Sequence, residues 1–237
     1  MKTYFMCAGR GDRLGKLTKD NPKCMMKVCG KTMLYRWVTK FGEWRVKDVL
    51  INMSSHTGKI LSHLDEVDWG RVRISLSKEK EPIGSAATLY NNRGFVRGEH
   101  YFAVVYSDVW TSFDLRKMIN FHKKRPSMVT LGLHTPRSLD GKGVAIVKNG
   151  VVVGFEEKPQ TPKSRTVWAG ILIAHPSIFK LMNQDMKDIA TDLLPKLAET
   201  GRMQAFFINE PLWDIGESED SYEFVCNETQ KLGLGAL

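Results

Sequence analysis

Apolar strand-like runs alternate with helical apolar stripes through the first 125 residues, and this alternation limits the fold more than any other feature. Thr3 to Ala8 is a short apolar run that ends at glycines, and Asp48 to Asn52 is another. Tyr101 to Val105 is continuously apolar, which is typical of a strand buried on both faces. Lys31 to Phe41 carries its apolar residues at helical spacing. The alternation predicts a parallel sheet in a three-layer α/β fold.

The second half of the sequence has a different pattern, with strand-like runs joined by short connections. These runs fall at 128–133, 144–147, 151–155 and 168–174. Asn149-Gly150 between two of them is a strong hairpin signal. We therefore expect a mixed sheet with a small additional β region. Because no linker is apparent, we expect one domain over residues 1–237, with a half at 1–125 and a half at 126–237.

Positive charge is concentrated in one short segment. The chain has a net charge of +9, and seven cations face only two acids between Arg10 and Lys31. Such a segment indicates a polyanionic ligand, either nucleotide phosphates or nucleic acid. No run approaches the roughly 20 apolar residues of a membrane helix, and the first residues do not resemble a secretory signal. We therefore expect a cytoplasmic protein.

A glycine loop, Gly9-Arg10-Gly11-Asp12-Arg13-Leu14-Gly15-Lys16, follows the first predicted strand. It matches neither a Walker A loop, since Arg10 replaces the required glycine, nor a dinucleotide fingerprint, since Leu14 replaces the third glycine. Glycines still let the backbone approach phosphate oxygens. Arg13 adds a guanidinium that can form two parallel hydrogen bonds, and Lys23, which follows a proline, adds a compact ammonium. Together these two cations suit a triphosphate.

The loop and four later segments together resemble the signature of sugar-1-phosphate nucleotidylyltransferases. In chain order the segments are Gly9-x-Gly11-x-Arg13-Leu14 with Pro22-Lys23, Glu79 to Ala86, Tyr106-Ser107-Asp108, Glu156-Glu157-Lys158-Pro159, and Trp213-Asp214-Ile215-Gly216. The resemblance covers residues 3 to about 225 and is nearest to short heptose or mannose 1-phosphate guanylyltransferases. It implies a Rossmann-like (GT-A-like) fold with a mainly parallel mixed sheet and helices on both faces.

The resemblance also implies a reaction and a set of site residues. An NTP and a sugar 1-phosphate would give an NDP-sugar and pyrophosphate for surface-glycan synthesis, with Mg²⁺ as cofactor and guanylyl transfer favoured over uridylyl or cytidylyl. Residues 1–125 would bind the nucleotide and 126–237 the sugar phosphate. The implied catalytic residues are Arg13, Lys23 and Asp108; the NTP-binding residues are Ala8, Gly9, Gly11, Arg13, Lys23, Glu79, Glu81 and Gly84; the sugar-phosphate residues are Glu157, Lys158 and Gly170; the metal ligands are Asp108 and Asp214.

Some residues depart from the family pattern, and other functions stay open. Asp12, Cys24 and Ser107 stand where other residues are usual, although no charged catalytic group is lost.

A GT-A glycosyltransferase would need a D-x-D motif, which Ser107-Asp108-Val109 lacks. A non-catalytic sugar-nucleotide-binding protein is the other alternative. We expect small-molecule substrates as partners, no nucleic acid because no aromatic platform accompanies the cations, and no membrane, and we leave a homodimer open.

Overall fold

The computed structural model describes residues 1–9, 11–54, 56–125 and 127–236, so Arg10 of the basic segment lies outside the described residues. The strands are β1 Lys2–Met6, β2 Lys27–Val28, β3 Lys31–Thr32, β4 Asp48–Met53, β5 Arg73–Lys78, β6 Phe102–Tyr106, β7 Val109–Thr111, β8 Val129–His134, β9 Gly143–Lys148, β10 Val151–Glu157, β11 Val167–Ala174, β12 Met203–Phe207 and β13 Leu212–Asp214. The helices are α1 Lys16–Lys19, α2 Met33–Glu43, α3 Thr57–Glu66, α4 Ser85–Asn91, α5 Leu115–Lys124, α6 Leu194–Glu199 and α7 Glu219–Lys231.

The chain divides into two compact units whose sequences interleave. The β1 unit consists of Thr3–Pro82, Tyr106–Ser112 and Glu210–Leu237. The β11 unit consists of Met1–Lys2, Ile83–Val105 and Phe113–Asn209. Segment 83–105 therefore packs with the later part of the chain, although it lies within residues 1–125.

In the β1 unit the main strands lie in the order β5-β4-β1, and β4 and β5 are parallel. The apolar stripe predicted for 31–41 forms α2, which begins at its cap Thr32, whose side chain accepts from the Tyr35 amide. The stripe packs on β1, where the rings of Trp37 and Phe41 lie 6.2 and 5.5 Å from that of Phe5. Burial of these rings supplies the unit's apolar core.

In the β11 unit the strands lie in the order β6-β11-β8-β12-β10-β9. Strands β8 and β12 are parallel, whereas β11 pairs antiparallel with both β6 and β8. Asn149 and Gly150 have φ values of 49° and 77°, the left-handed pair that closes the predicted hairpin between β9 and β10. The mixed sheet and the helices confirm the predicted α/β class.

Some elements differ from the predictions or were not predicted. The strands β2, β3, β7 and β13 are two or three residues long, too short to show a period. Helix α6 is preceded by a wide turn at Ile189–Leu193, where the Asp188 carboxylate accepts from the amides of Ala190 and Thr191. Among the described residues, no helix is long and apolar enough to cross a membrane.

Candidate functional site

The glycine loop leaves the carboxyl end of β1 and packs directly on Lys23. Gly11 has a φ of 76°, and a Cβ built there would lie 2.8 Å from Cγ2 of Thr18 and 3.0 Å from Cγ of Lys23. The Thr18 hydroxyl donates to the Gly11 carbonyl at 2.8 Å. Gly9 has open space where a Cβ would stand. Glycine at position 11 is thus needed both for its backbone conformation and for the close approach to Lys23.

Lys23 is a buried cation. Pro22 is extended, and Lys23 begins a 3₁₀ turn at Lys23–Met25. Its side chain is 11% exposed, and its Nζ lies 3.0 Å from Oδ2 of Asp108. A buried lysine is rare unless a carboxylate balances its charge. The pairing fixes the ammonium at the point where the glycine loop and Asp108 meet.

A two-stranded ribbon brings Asp108 and Asp214 together, although they are far apart in sequence. Asp108 precedes β7, which pairs antiparallel with β13, so that Val109 lies opposite Asp214. The Ile215 amide donates to the Asp108 carbonyl at 2.9 Å. The indole Nε1 of Trp37 donates to the Val109 carbonyl at 2.8 Å, which ties the ribbon to α2. Trp37 is therefore a positioning residue that sequence reasoning missed.

Gly216 lies against the ammonium of Lys23. Its amide donates to Oδ1 of Asp214 at 2.6 Å. A Cβ built on Gly216 would lie 2.3 Å from Nζ of Lys23 and 3.1 Å from Oδ1 of Asp214. Lys23, Asp108 and Asp214 therefore form one cluster, which we call the Lys23 cluster. The only sequence signal for the role of Gly216 was its place two residues after Asp214.

We expect Gly216→Ala to fold normally but to displace Lys23. The new methyl group meets the flexible end of a side chain, and Gly216 is not at positive φ, so the backbone carries no strain. The resemblance implies that Lys23 positions a substrate phosphate, and displacing such a group should lower turnover about tenfold or more. Turnover and thermal unfolding check this, with Gly94→Ala as the control because a Cβ there meets nothing. Unchanged turnover in Gly216→Ala would contradict the assignment.

The Lys23 cluster has the donor chemistry of a magnesium site. The Asp108 carboxylate contacts the Lys23 ammonium, and the Asp214 carboxylate and that ammonium both lie beside Gly216. Mg²⁺ is usually held in proteins by one or two carboxylates together with substrate phosphate oxygens. The residues present therefore fit Mg²⁺ bound with a nucleotide.

Arg13 and its neighbour Asp12 occupy an exposed 3₁₀ turn at Asp12–Leu14 within the same loop. The turn is anchored by Leu14, which is fully buried and whose amide donates to the Gly11 carbonyl at 2.8 Å. The structure thus places Arg13 on the loop that packs on Lys23, with its side chain directed to solvent.

Glu79 follows β5 and is held by a buried amide network. Asn52 Nδ2 donates to Oε1 of Glu79 at 2.9 Å, and Asn52 Oδ1 accepts from the Cys7 amide at 2.7 Å. Ala8 follows Cys7 in the chain, and its carbonyl accepts from the Ser54 hydroxyl at 3.0 Å. The ends of β1, β4 and β5 are thereby linked, at the edge where open α/β sheets bind ligands. Asn52 was missed, since a single asparagine ending an apolar strand gives little signal.

The remaining predicted NTP residues are Glu81, which is exposed, and Gly84, which belongs to the β11 unit. Gly84 has a φ of 98°, and a Cβ there would lie 2.1 Å from the Lys187 carbonyl oxygen. Any side chain at position 84 would therefore disrupt backbone packing. The protein needs glycine at this position irrespective of any ligand.

The predicted sugar-phosphate residues lie in the β11 unit. Glu157 ends β10, and Lys158 follows at a φ of 48° with its Nζ 3.5 Å from Oε1 of Glu157. A Cβ on Gly143 would lie 2.6 Å from Oε2 of Glu157, so this carboxylate lies over the start of β9. Gly170, at a φ of 68°, sits where the register of β11 against β8 shifts.

His134 ends β8 and makes stability in the β11 unit depend on pH. Burial, with a smaller effect from the charge of Lys142, lowers the pKa of His134 to about 4. An unfolded histidine has a pKa near ~6.5, so as pH falls below that value the unfolded state takes up the proton first and stability is lost down to pH ~4.

Between pH 7 and pH 5 the wild type should therefore lose about 2 kcal/mol of unfolding free energy that His134→Gln keeps. Urea unfolding at the two pH values measures this difference, with exposed His100→Gln as the control. An equal loss in wild type and His134→Gln would show that His134 is not the group responsible.

Comparison with known proteins gives a family and a fold. The sequence model described as Nucleotidyl transferase matches residues 2–231. The mannose-1-phosphate guanylyltransferase catalytic subunit beta of Xenopus tropicalis is 28% identical over an alignment of 237 residues. The match covers 98% of this chain and 66% of that protein. The mannose-1-phosphate guanyltransferase of Yarrowia lipolytica is 26% identical, with 95% of this chain and 63% of that protein covered. The chain thus spans less than two thirds of the length of these curated relatives.

Solved structures show the same fold. HddC from Yersinia pseudotuberculosis complexed with GMP-PN has a TM-score of 0.79 at 23% identity, covering 96% of this chain and 98% of that chain. UDP-glucose pyrophosphorylase complexed with UDP-glucose has a TM-score of 0.81 at 20% identity, covering 97% of this chain and 98% of that chain. Together with the mixed sheet, these likenesses confirm the Rossmann-like α/β fold.

Proposed function

The chain belongs to the nucleotidyl transferase family, and from that premise we propose that it joins an NTP to a sugar 1-phosphate. A phosphate oxygen of the sugar 1-phosphate attacks the α-phosphorus of the NTP, the bond from that phosphorus to the bridging oxygen breaks, and pyrophosphate leaves with the bond's electron pair. The sugar phosphate is already largely anionic at neutral pH, so no general base is needed.

The observation that carries this proposal is the Lys23 cluster. A buried ammonium, a glycine loop packed on it and two converging carboxylates match the needs of phosphoryl transfer, which are alignment and neutralisation of charge. In the proposal Lys23 contacts the α-phosphoryl group, Arg13 contacts the leaving pyrophosphate, and the backbone at Ala8, Gly9 and Gly11 holds phosphate oxygens. Glu79, Glu81 and Gly84 serve the base and ribose.

We propose that Asp108 and Asp214 hold Mg²⁺. When bound, the ion neutralises phosphate charge and fixes phosphate geometry. Because both curated relatives reported above carry mannose-1-phosphate guanylyltransferase names, GTP and mannose 1-phosphate are the proposed substrates, with a heptose 1-phosphate next. Glu157 would accept hydrogen bonds from sugar hydroxyls, Lys158 would pair with the sugar phosphate, and Gly170 would leave room for the sugar ring.

A pyrophosphate-release screen tests the function. The purified protein is incubated with Mg²⁺, each of four NTPs and each of a panel of sugar 1-phosphates. We expect release that requires both substrates and is fastest with GTP. Absence of release with every pair would refute the transferase, and release of orthophosphate without sugar phosphate would indicate an NTP hydrolase instead.

Lys158→Ala should mainly weaken the use of the sugar 1-phosphate. A charged hydrogen bond contributes about 1.5–3 kcal/mol, so the KM for the sugar 1-phosphate should rise about tenfold or more while the KM for the NTP stays within about twofold. Steady-state kinetics with each substrate varied in turn measure both constants. Lys148→Ala is the matched control, because Lys148 is an exposed lysine at the β9–β10 hairpin. An unchanged sugar-phosphate KM and rate would remove Lys158 from the site.

A further inference from the structure

An open cavity of about 1090 Å³ lies in the β1 unit and is not used by the proposed reaction. Its walls come from α1, the β2–β3 hairpin, the first turn of α2, α3 and α7. None of the residues proposed for the NTP or for Mg²⁺ lines it. The wall does include Met25 and Met26, which follow Lys23 directly in the chain.

The charge on the cavity wall favours an anion. Lysines from separate elements line it, Lys27 from β2, Lys31 from β3 and Lys59 from α3, against one carboxylate, that of Glu66. Lys59 Nζ also donates to the carbonyl of Asp20 and to Oδ1 of Asn21, so it links α3 to the segment after α1. The Lys31 ammonium lies 5.2 Å from the centre of the Tyr35 ring, at the same wall. Three lysine side chains on one concavity provide ammonium donors for a phosphate group.

Flat, weakly polar surfaces lie beside these cations. Tyr35 and Tyr222 line the cavity, and the Tyr222 hydroxyl donates to the Lys27 carbonyl at 2.6 Å, which fixes its ring. His63 lies 2.9 Å from the Thr32 hydroxyl through Nε2. Burial lowers the pKa of His63, with Glu66 opposing and Lys27 adding to the effect. The Tyr35 ring already contacts Lys31 and Trp69, so the neutral imidazole and the Tyr222 phenol ring offer the surfaces on which a planar ring can pack.

We propose that this cavity is a second ligand site, which takes a nucleotide by its phosphate and its planar base. The lysines bind the phosphate, and the aromatic side chains pack against the base. The proposal goes beyond the transferase reaction and does not depend on it, because the two sets of residues do not overlap.

Hydrogen exchange of α3 tests the proposal, since α3 borders this cavity and contains no residue assigned to the Lys23 cluster. The protein is titrated with GMP, and separately with pyrophosphate, in metal-free buffer. We expect GMP to slow exchange in residues 57–66, and pyrophosphate to do so only at concentrations about tenfold higher. Protection of the glycine loop, residues 8–15, without slower exchange in residues 57–66 would overturn the second site. Equal potency of the two probes would overturn the role of the base.

Variants of the cavity wall test the second site further, first by reversing the charge of one lysine. Lys27→Glu should raise the GMP concentration for half-protection of α3 about tenfold or more, whereas the control Lys47→Glu, an exposed lysine outside the cavity, should not change it. Tyr222→Leu tests the base contact and should weaken GMP binding without changing the response to pyrophosphate. Unchanged α3 protection in Lys27→Glu would contradict the proposal. The readout needs no turnover, so its outcome is separate from that of the pyrophosphate-release screen.

Discussion

We expect Lys23→Met to lower turnover by at least about a hundredfold while the protein stays folded, because it removes one preorganised charge from the position where charge develops. The lysine side chain is 11% exposed, and its ammonium is fixed by Asp108 at 3.0 Å before any substrate arrives. Methionine keeps much of the length and apolar volume of the lysine side chain, so the loss of turnover reports the effect of removing the charge. The turnover number with saturating substrates is the quantity to compare.

Lys23→Arg separates charge from shape. The guanidinium is broader than an ammonium, and the space beside Lys23 Nζ is closed by Gly216, where even a Cβ would lie 2.3 Å away. We therefore expect Lys23→Arg to stay at least about tenfold below the wild type. Lys19→Met, which removes an exposed cation of the same basic segment, is the control and should stay within about twofold. A folded Lys23→Met with a near-normal rate would remove Lys23 from the reaction.

We expect activity to disappear in excess chelator and to return with Mg²⁺. Asp108→Asn and Asp214→Asn should each lower turnover at subsaturating Mg²⁺ by about a hundredfold or more. The β7–β13 ribbon and the Ile215 amide bring the backbones of Asp108 and Asp214 together, so both carboxylates are expected to contribute. An amide has a similar size but lacks the negative charge that the metal needs.

The dependence on Mg²⁺ concentration distinguishes metal binding from a general loss of structure. Asp214→Asn should raise the Mg²⁺ concentration needed for half-maximal rate, and high Mg²⁺ should recover part of the activity. Asp220→Asn is the control, because Asp220 is an exposed acid in the first turn of α7. Full activity in excess chelator would exclude the proposed role of both aspartates.

The sequence predicts those elements whose apolar pattern is long enough to be read. β4 ends within one residue of its predicted end, because a continuous apolar run there is buried between neighbouring strands. The β9–β10 hairpin follows from Asn149-Gly150, since these residues adopt positive φ readily. The ribbon of β7 and β13 cannot be predicted in this way, because its pairing joins segments about a hundred residues apart and is fixed by tertiary contacts such as the 5.0 Å stack of Trp110 on Trp213.

In the candidate site, too, local sequence predicts some features and tertiary contacts fix the others. Motifs identify Lys23, Asp108 and Asp214 individually, and the ribbon and the glycine loop explain why they meet. Asn52 and Trp37 hold their neighbours through side-chain hydrogen bonds, which leave no periodic trace in the sequence. The ligand roles of the site residues, from Arg13 and Lys23 to Asp214, stay predictions that substrate and metal binding test.

The fate of the α-phosphorus of GTP tests the central proposal most directly. The protein is incubated with Mg²⁺, mannose 1-phosphate and GTP labelled either at the α- or at the γ-phosphorus, and the products are separated. The transferase places all of the α-label in a sugar nucleotide and all of the γ-label in pyrophosphate. Recovery of the γ-label as orthophosphate, or of the α-label in free GMP or GDP, would contradict the proposed reaction.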